Sequence, residues 1–219
     1  VKINNKRGFS LVEILVVMGI MAALLVLGAS LFSGLGKGES RQAVQALLLA
    51  GLNNAQTRAL SSGEPVALVM TPYDQGRNGQ LGRSFTLYEV RQDEVTKEFV
   101  AGKQLRRWAE LPGRFIFSKG GTVSSSGQNA FDQPAVVRIT VLDEKSEGRR
   151  AIDMPAIIFG GTGSVLWPAG EGELELHVTE GSVEAGLAVA TGEELNDWRK
   201  REVILVGRQT GRARYLQTN

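Results

Sequence analysis

The sequence predicts an α+β protein: one long N-terminal helix, half apolar and half amphipathic, packed on an antiparallel β-rich globular head. Three patterns predict this. An uncharged apolar run fills residues 14–32. An apolar 3.6-residue period then runs from Val44 to Ala59, the spacing of a half-buried helix. Beyond Pro65 the chain changes to short apolar or alternating runs separated by glycine-rich segments, the signature of strands and turns.

The first eight residues carry Lys2, Lys6 and Arg7, and end at Gly8. As a helix, residues 14–32 would span about 28 Å, close to the hydrocarbon thickness of a bilayer. Residues 9–33 therefore read as a transmembrane helix, with the basic residues holding its N-terminus in the cytoplasm. A removable secretory signal places its small-residue cleavage site after the apolar stretch. Here the best cleavage candidate, Gly8, precedes it, so the apolar helix would be retained. Glu13 stands alone at the start of the run. A carboxylate costs up to roughly 3 kcal/mol at the centre of such a helix and less near its end. The helix dipole favours an acid in the first turn, and a charge in this setting signals a functional role.

Gly34, Gly36 and Gly38 punctuate the end of the apolar run and suggest a hinge, because glycine costs about 1 kcal/mol per helical site relative to alanine. Residues 34–62 read as the amphipathic continuation. Val44, Leu47, Leu48, Gly51, Leu52, Ala55 and Ala59 share one face, with Gln45, Asn53, Gln56 and Thr57 opposite. Ser61, Ser62, Gly63 and Pro65 stop the helix.

Residues 63–219 form the head. Strands are expected at 66–70, 84–91, 114–117, 135–142, 156–159, 173–179, 202–206 and 212–216. Glycine-rich loops are expected at 74–82, 119–129, 160–163 and 170–172, with 124–129 a mobile surface loop. Thr191 and Glu194 have capping-box spacing and predict a short helix reaching Trp198. Turn residues at 207–211 precede the last strand.

The chain has 219 residues, no cysteine and one histidine. Disulfides, thiolate zinc sites and thiol catalysis are excluded. His177 alternates with Glu175 in an expected strand and reads as a solvated residue on its polar face. Asp74–Gly79 offers one carboxylate beside Arg77, which suits a hairpin turn better than a calcium loop. The glycines at 160–163 are followed by no Lys-Ser/Thr pair, so they form no phosphate loop. The expectation is no enzyme, no metal and no cofactor. Basic clusters at Arg106/Arg107, Arg149/Arg150, Arg199/Lys200/Arg201 and Arg208/Arg212/Arg214 are candidates for phosphate contact. In the last cluster a strand would put Arg212 and Arg214 on one face, beside Tyr215.

The stretch Gly8-Phe9-Ser10-Leu11-Val12-Glu13 resembles the processing motif of the type IV pilin-like proteins, which are made as prepilins. The resemblance implies a leader over residues 1–8, cut between Gly8 and Phe9 by a membrane prepilin peptidase/methyltransferase that then N-methylates Phe9. It also implies that Glu13 pairs with the terminal amine of a neighbouring subunit during filament assembly. Loss of Lys2, Lys6 and Arg7 from 25 basic residues leaves 22 against 23 acidic ones, a net charge of −1. Three head segments extend the resemblance. Trp108-Ala109-Glu110-Leu111-Pro112, the turn from Phe159 to Ser164, and Thr210-Gly211-Arg212 after the 203–206 strand are similar to segments of H-type minor pseudopilins of type II secretion and of T-type minor pilins.

The implied role is that of a structural minor pseudopilin. It would be anchored in the inner membrane with its head in the periplasm, then drawn into a filament. Its implied partners are other pilin-like subunits, the inner-membrane assembly platform and secreted cargo. The alternative is a DNA-binding minor pilin of a type IV pilus. Gly211-Arg212-Ala213-Arg214 is similar to a Gly-Arg-x-Arg segment of such pilins, with Arg208 nearby. The near-neutral mature charge weighs against broad nucleic-acid affinity.

Overall fold

The computed structural model describes residues 11–73, 80–95, 98–123, 125–142, 149–184, 187–190 and 201–216. The chain divides into two compact units, Val1–Gln42 and Ala43–Asn219. One helix, α1, is assigned over Leu11–Ser62. In the first unit most side chains of the apolar run lie outside the described residues. Those described, Val16, Val17, Met18, Ile20 and Met21, stand exposed. Among the described residues no helix is long and apolar enough to cross a membrane.

The second unit is a β-rich globular head. It begins with the amphipathic end of α1, which stops where glycine lets it. Gly63 takes a left-handed φ of 74°, and its N–H closes on Ala59 O at 2.9 Å, a helix cap that a β-carbon would disfavour. Strands β1 (Val66–Met70), β2 (Ser84–Gln92), β3 (Phe99–Gln104), β4 (Ala109–Glu110) and β5 (Phe115–Phe117) follow. Next come β6 (Gln128–Asn129), a 3-10 turn at Ala130–Asp132, β7 (Val137–Leu142), β8 (Arg149–Met154) and β9 (Ala156–Phe159). The last are β10 (Val165–Trp167), β11 (Leu174–Glu184), β12 (Leu187–Ala190), β13 (Glu202–Val206) and β14 (Ala213–Tyr215).

Two sheets result. The first runs β10-β9-β1-β2-β3-β7-β8, with β4 on β2; the second runs β12-β11-β13-β14, with β5 and β6 on β11. Pairing is antiparallel except for β3 with β7 and β6 with β11.

The head is built on the apolar face of α1. Val44, Leu48, Leu52, Ala55 and Ala59 are fully buried. They share one core with Val66, Leu68, Phe85, Leu87, Ile157 and Phe159 of the first sheet and Leu174, Leu176, Val178, Ile204 and Val206 of the second. The period-2 alternation of these strands sends alternate residues to the helix. Gly51 allows close approach, since a β-carbon there would lie 2.7 Å from the Phe85 ring.

A second core lies on the other face of the first sheet. Ala67, Val69, Ala156 and Ile158 meet Phe99, Val137, Ile139, Ile152 and Met154 there. The cause is topological. β8 and β9 are separated by Pro155 alone, yet they stand near opposite ends of the strand order. The sheet must therefore curl until β7 and β8 cover β1 and β9.

The expected strands at 66–70, 156–159 and 202–206 have the observed bounds. Three findings correct the sequence reading. Gln45 and Gln56 do not lie opposite the apolar stripe; both flank it and bond to the head. β3, β4, β8, β10 and β12 were not foreseen. The 124–129 stretch is not simply a surface loop, because Gln128 and Asn129 form β6 beside β11. Asn129 is buried and caps the 3-10 turn through Phe131 N–H at 3.1 Å. The expected helix at 191–198 and most of the 74–82 loop lie outside the described residues.

Leu52→Ala should lower unfolding stability by about 2–5 kcal/mol, the cost of an unfilled core site. Thr57→Ala, on the exposed face of the same helix, should stay within about 0.5 kcal/mol. Equilibrium urea unfolding of both variants checks the stripe assignment.

Candidate functional site

The two head turns singled out by sequence are one structural unit. The first, between β9 and β10, closes with Gly160 N–H on Ser164 O at 2.9 Å and Gly163 N–H on Gly160 O at 2.8 Å. The second, between β13 and β14, closes with Gly207 N–H on Arg212 O at 3.0 Å and Gly211 N–H on Gly207 O at 2.7 Å. Val165 N–H donates to Arg208 O at 2.7 Å, joining the two sheets. From α1, the Gln56 amide donates to Thr210 O and, at 3.5 Å, to Gly163 O. Gly211 has a φ of 63°, and a β-carbon there would lie 2.0 Å from Gly163 O. Only glycine fits this contact. The third segment straddles the first sheet: Trp108 packs against the second core and Leu111 is buried in the first.

The C-terminal arginines separate into three roles. Arg208 turns inward and donates to Pro168 O and to Gln128 Oε1. Burial lowers its pKa from the ordinary value. Arg214 makes a two-pronged pair with Glu173, at 3.0 and 2.9 Å. Arg212 is exposed and has no side-chain partner among the described residues. Elsewhere Arg201 is buried, and Arg106 lies 6.0 Å from the centroid of the Phe85 ring. Arg199, Lys200 and the side chains of Arg149 and Arg150 lie outside the described residues.

His177 overturns the solvated reading. It is fully buried, as is Glu175, and its Nε2 lies 2.7 Å from Glu175 Oε2. The strand alternation is as expected, but the polar face of β11 is roofed by the segment that begins at Lys119. Val123 N–H donates to the same Glu175 oxygen at 2.7 Å. Burial lowers the His177 pKa from 6.5, against the opposing pull of Glu175. No local signal marks His177 as covered. The apolar Ala130-Phe131 pair, which needs a seat in the core, was the one hint that the 118–134 insert folds back. Phe131 is buried beside Phe117 and Tyr73. The Tyr73 hydroxyl donates to Phe117 O, and burial pushes its pKa up to about 12 from 10.0.

Gly8 and Phe9 lie outside the described residues, as do the side chain of Glu13 and the Asp74–Gly79 turn. Among the described residues no three metal-binding side chains cluster. A cavity of about 270 Å³ lies between Phe99, Val136, Arg138, Asp153 and Trp167. Its one cation is already paired, Arg138 to Asp153 at 2.9 Å, and no nucleophile faces it.

Residues 3–29 match the family described as the prokaryotic N-terminal methylation motif. No curated protein matches the chain at a significant level. Two crystal structures of the type IV minor pilin FimU from Pseudomonas aeruginosa PAO1 align with this chain at 12% identity. The form in space group P21 aligns over 83% of this chain and 92% of its own, with a TM-score of 0.43. The P65 form aligns over 81% and 93%, with a TM-score of 0.39.

Arg208→Ala should destabilise the head by about 1–3 kcal/mol, because it strips two part-buried acceptors of their donor. Arg214→Ala, which breaks an exposed pair, should cost under about 1 kcal/mol. Urea unfolding distinguishes them. Tyr73 makes a second prediction. Its raised pKa stabilises the fold below pH 10.0, and that contribution is lost as pH rises from there to about 12. Tyr73→Phe should flatten that alkaline loss, read by unfolding at stepped pH with phenolate absorbance in parallel.

Proposed function

We propose that this chain, a type IV pilin-like protein by its N-terminal methylation motif, is a structural minor pseudopilin of a type II secretion pseudopilus. Prepilin peptidase cuts between Gly8 and Phe9 and methylates the new terminus. Residues 9–33 then hold the chain in the inner membrane, and residues 34–62 continue the helix towards a periplasmic head. On entry into the filament, the Glu13 carboxylate meets the Phe9 amine of a neighbouring subunit.

The observation that carries this reading is the motif itself. A small residue, a new N-terminal Phe and a single carboxylate precede an uncharged run long enough to cross a bilayer. The exposed side chains from Val16 to Met21 agree with a helix whose apolar surface is covered by lipid or by other subunits. The head motifs shared with H-type pseudopilins and T-type pilins support a minor subunit. The DNA-uptake reading rested on three arginines; Arg208 is bonded inward and Arg214 is paired, which favours the secretion role.

Glu13→Ala should leave membrane insertion and leader removal intact while abolishing recovery of the protein in sheared or cross-linked filaments. Normal incorporation of the variant would refute the role of Glu13. Deleting the gene in its host should block export of folded hydrolases. Unchanged export combined with lost DNA uptake would favour the type IV pilus.

A further inference from the structure

The segment from Lys119 to Val123 lies across the outer face of the second sheet. Apart from Ser118 Oγ, which donates to Lys119 O at 3.3 Å, and Lys119 Nζ, which lies over the Tyr73 and Phe131 rings, every bond described between it and the rest of the head ends on an ionisable side chain. Arg201 donates to Lys119 O at 3.3 Å and to Gly120 O. Asp132 accepts from Gly120 N–H at 3.0 and 2.8 Å. Glu175 accepts from Val123 N–H at 2.7 Å. Lys119, Gly120, Gly121 and Thr122 are exposed, and Val123 is half-buried. Gly120 and Gly121 have φ values of 72° and 74°, two adjacent positions where the chain can swing freely.

Beneath this segment His177 shares the Glu175 oxygen that holds Val123. Its Nδ1 is buried and meets no hydrogen-bond partner among the described residues. A neutral imidazole that donates from Nε2 leaves Nδ1 as an unpaired acceptor, which costs less than an unpaired donor that also carries charge. An imidazolium donates from both nitrogens. The second donor would then be buried without an acceptor, in a site that also feels the Arg201 charge. Such a group is expensive to bury. The head can relieve that cost only by letting water reach the ring.

We propose that Glu175 and His177 form an acid-sensitive latch that holds the 119–123 segment over the second sheet and releases it when His177 takes up a proton. The charged groups that act on the ring are Glu175 on its own strand, Arg201 before β13 and Asp132 in the 3-10 turn. Glu175 and Asp132 favour the proton; burial, the largest influence, and Arg201 oppose it. With the folded value held below 6.5, the folded chain binds fewer protons than an open one just under that pH. Closure is therefore fully favoured above 6.5 and weakens as pH falls.

His177 is the sole histidine, so its protonation can be followed without ambiguity. Full-length protein in detergent micelles, labelled with ¹⁵N-histidine, would be titrated from about pH 7.5 to about pH 5, across the ordinary histidine range. Amide hydrogen exchange of Gly120 and Val123, corrected for intrinsic rates, would be measured over the same range. The latch predicts that protection falls about tenfold per pH unit from 6.5 down to the His177 midpoint of the folded chain and levels off below it. His177→Gln keeps a donor for Glu175 but cannot titrate, so its protection should not vary with pH. Protection that persists while His177 titrates, that is lost at another midpoint, or that falls equally in His177→Gln overturns the proposal. If the variant does not fold, the shared midpoint in the wild-type chain decides.

Discussion

The apolar stripe from Val44 to Ala59 is the constraint on which the rest of the head depends. An amphipathic helix must cover that face, and here two separate sheets do so together. The first sheet contributes alternate residues of β1, β2 and β9; the second contributes those of β11 and β13. Two sheets on one helix leave a seam between them, and backbone bonds are needed to close it. The seam is closed at Gln56, where the two glycine turns meet and Val165 N–H reaches Arg208 O. Gly211 is required there because its backbone touches Gly163 O, and Gly163 because it has a φ of 81° with the Leu60 side chain against it. The tolerance is small: one β-carbon at Gly211 would occupy the position of a carbonyl oxygen.

What could be read from the sequence was what depends on neighbours in the chain. The stripe on α1, the continuous strands β1, β9 and β13, and the turn glycines all announce themselves through local period and residue type. The strands that escaped are weak in local pattern, although β3, β8, β10 and β12 each pair with the strand next to them in the chain. β8 reads Arg-Arg-Ala-Ile-Asp-Met and is poor in strand formers; it is a strand because it pairs antiparallel with β7, from Leu142 with Arg149 to Val137 with Met154. β3 holds Gly102, whose β-carbon would lie 3.2 Å from Glu89 O, where the pairing with β2 shifts register. Gln45 and Gln56 looked like solvent residues because a helical wheel cannot show where the covering layer ends. They sit at its rim, with Gln45 reaching Glu202 at 2.6 Å.

The charged residues show the same division. Arginine clusters in a sequence suggest a surface for phosphate, yet an arginine in a head with many loops often finds carbonyls first. Arg208 and Arg201 each tie down a loop by its backbone oxygens. The planar fork of the guanidinium suits that work, since it offers several donors at fixed angles. By contrast, the functional signal at the N-terminus needs no tertiary structure. It lies along adjacent residues, matched over 3–29, which is why it was legible where the arginine face was not.

The roof over β11 follows from both considerations. A strand that alternates apolar and polar residues can leave its polar face in water, and this one does not. Covering Glu175 and His177 requires a partner for every buried polar atom, and among the described residues the segment supplies the Val123 N–H to the pair. The Glu175 oxygen is satisfied twice, while one imidazole nitrogen is left over. A well-packed apolar face would close the sheet more firmly. The polar face instead makes closure depend on the protonation of one ring, at the outer surface of the head and away from the helix that holds the fold together.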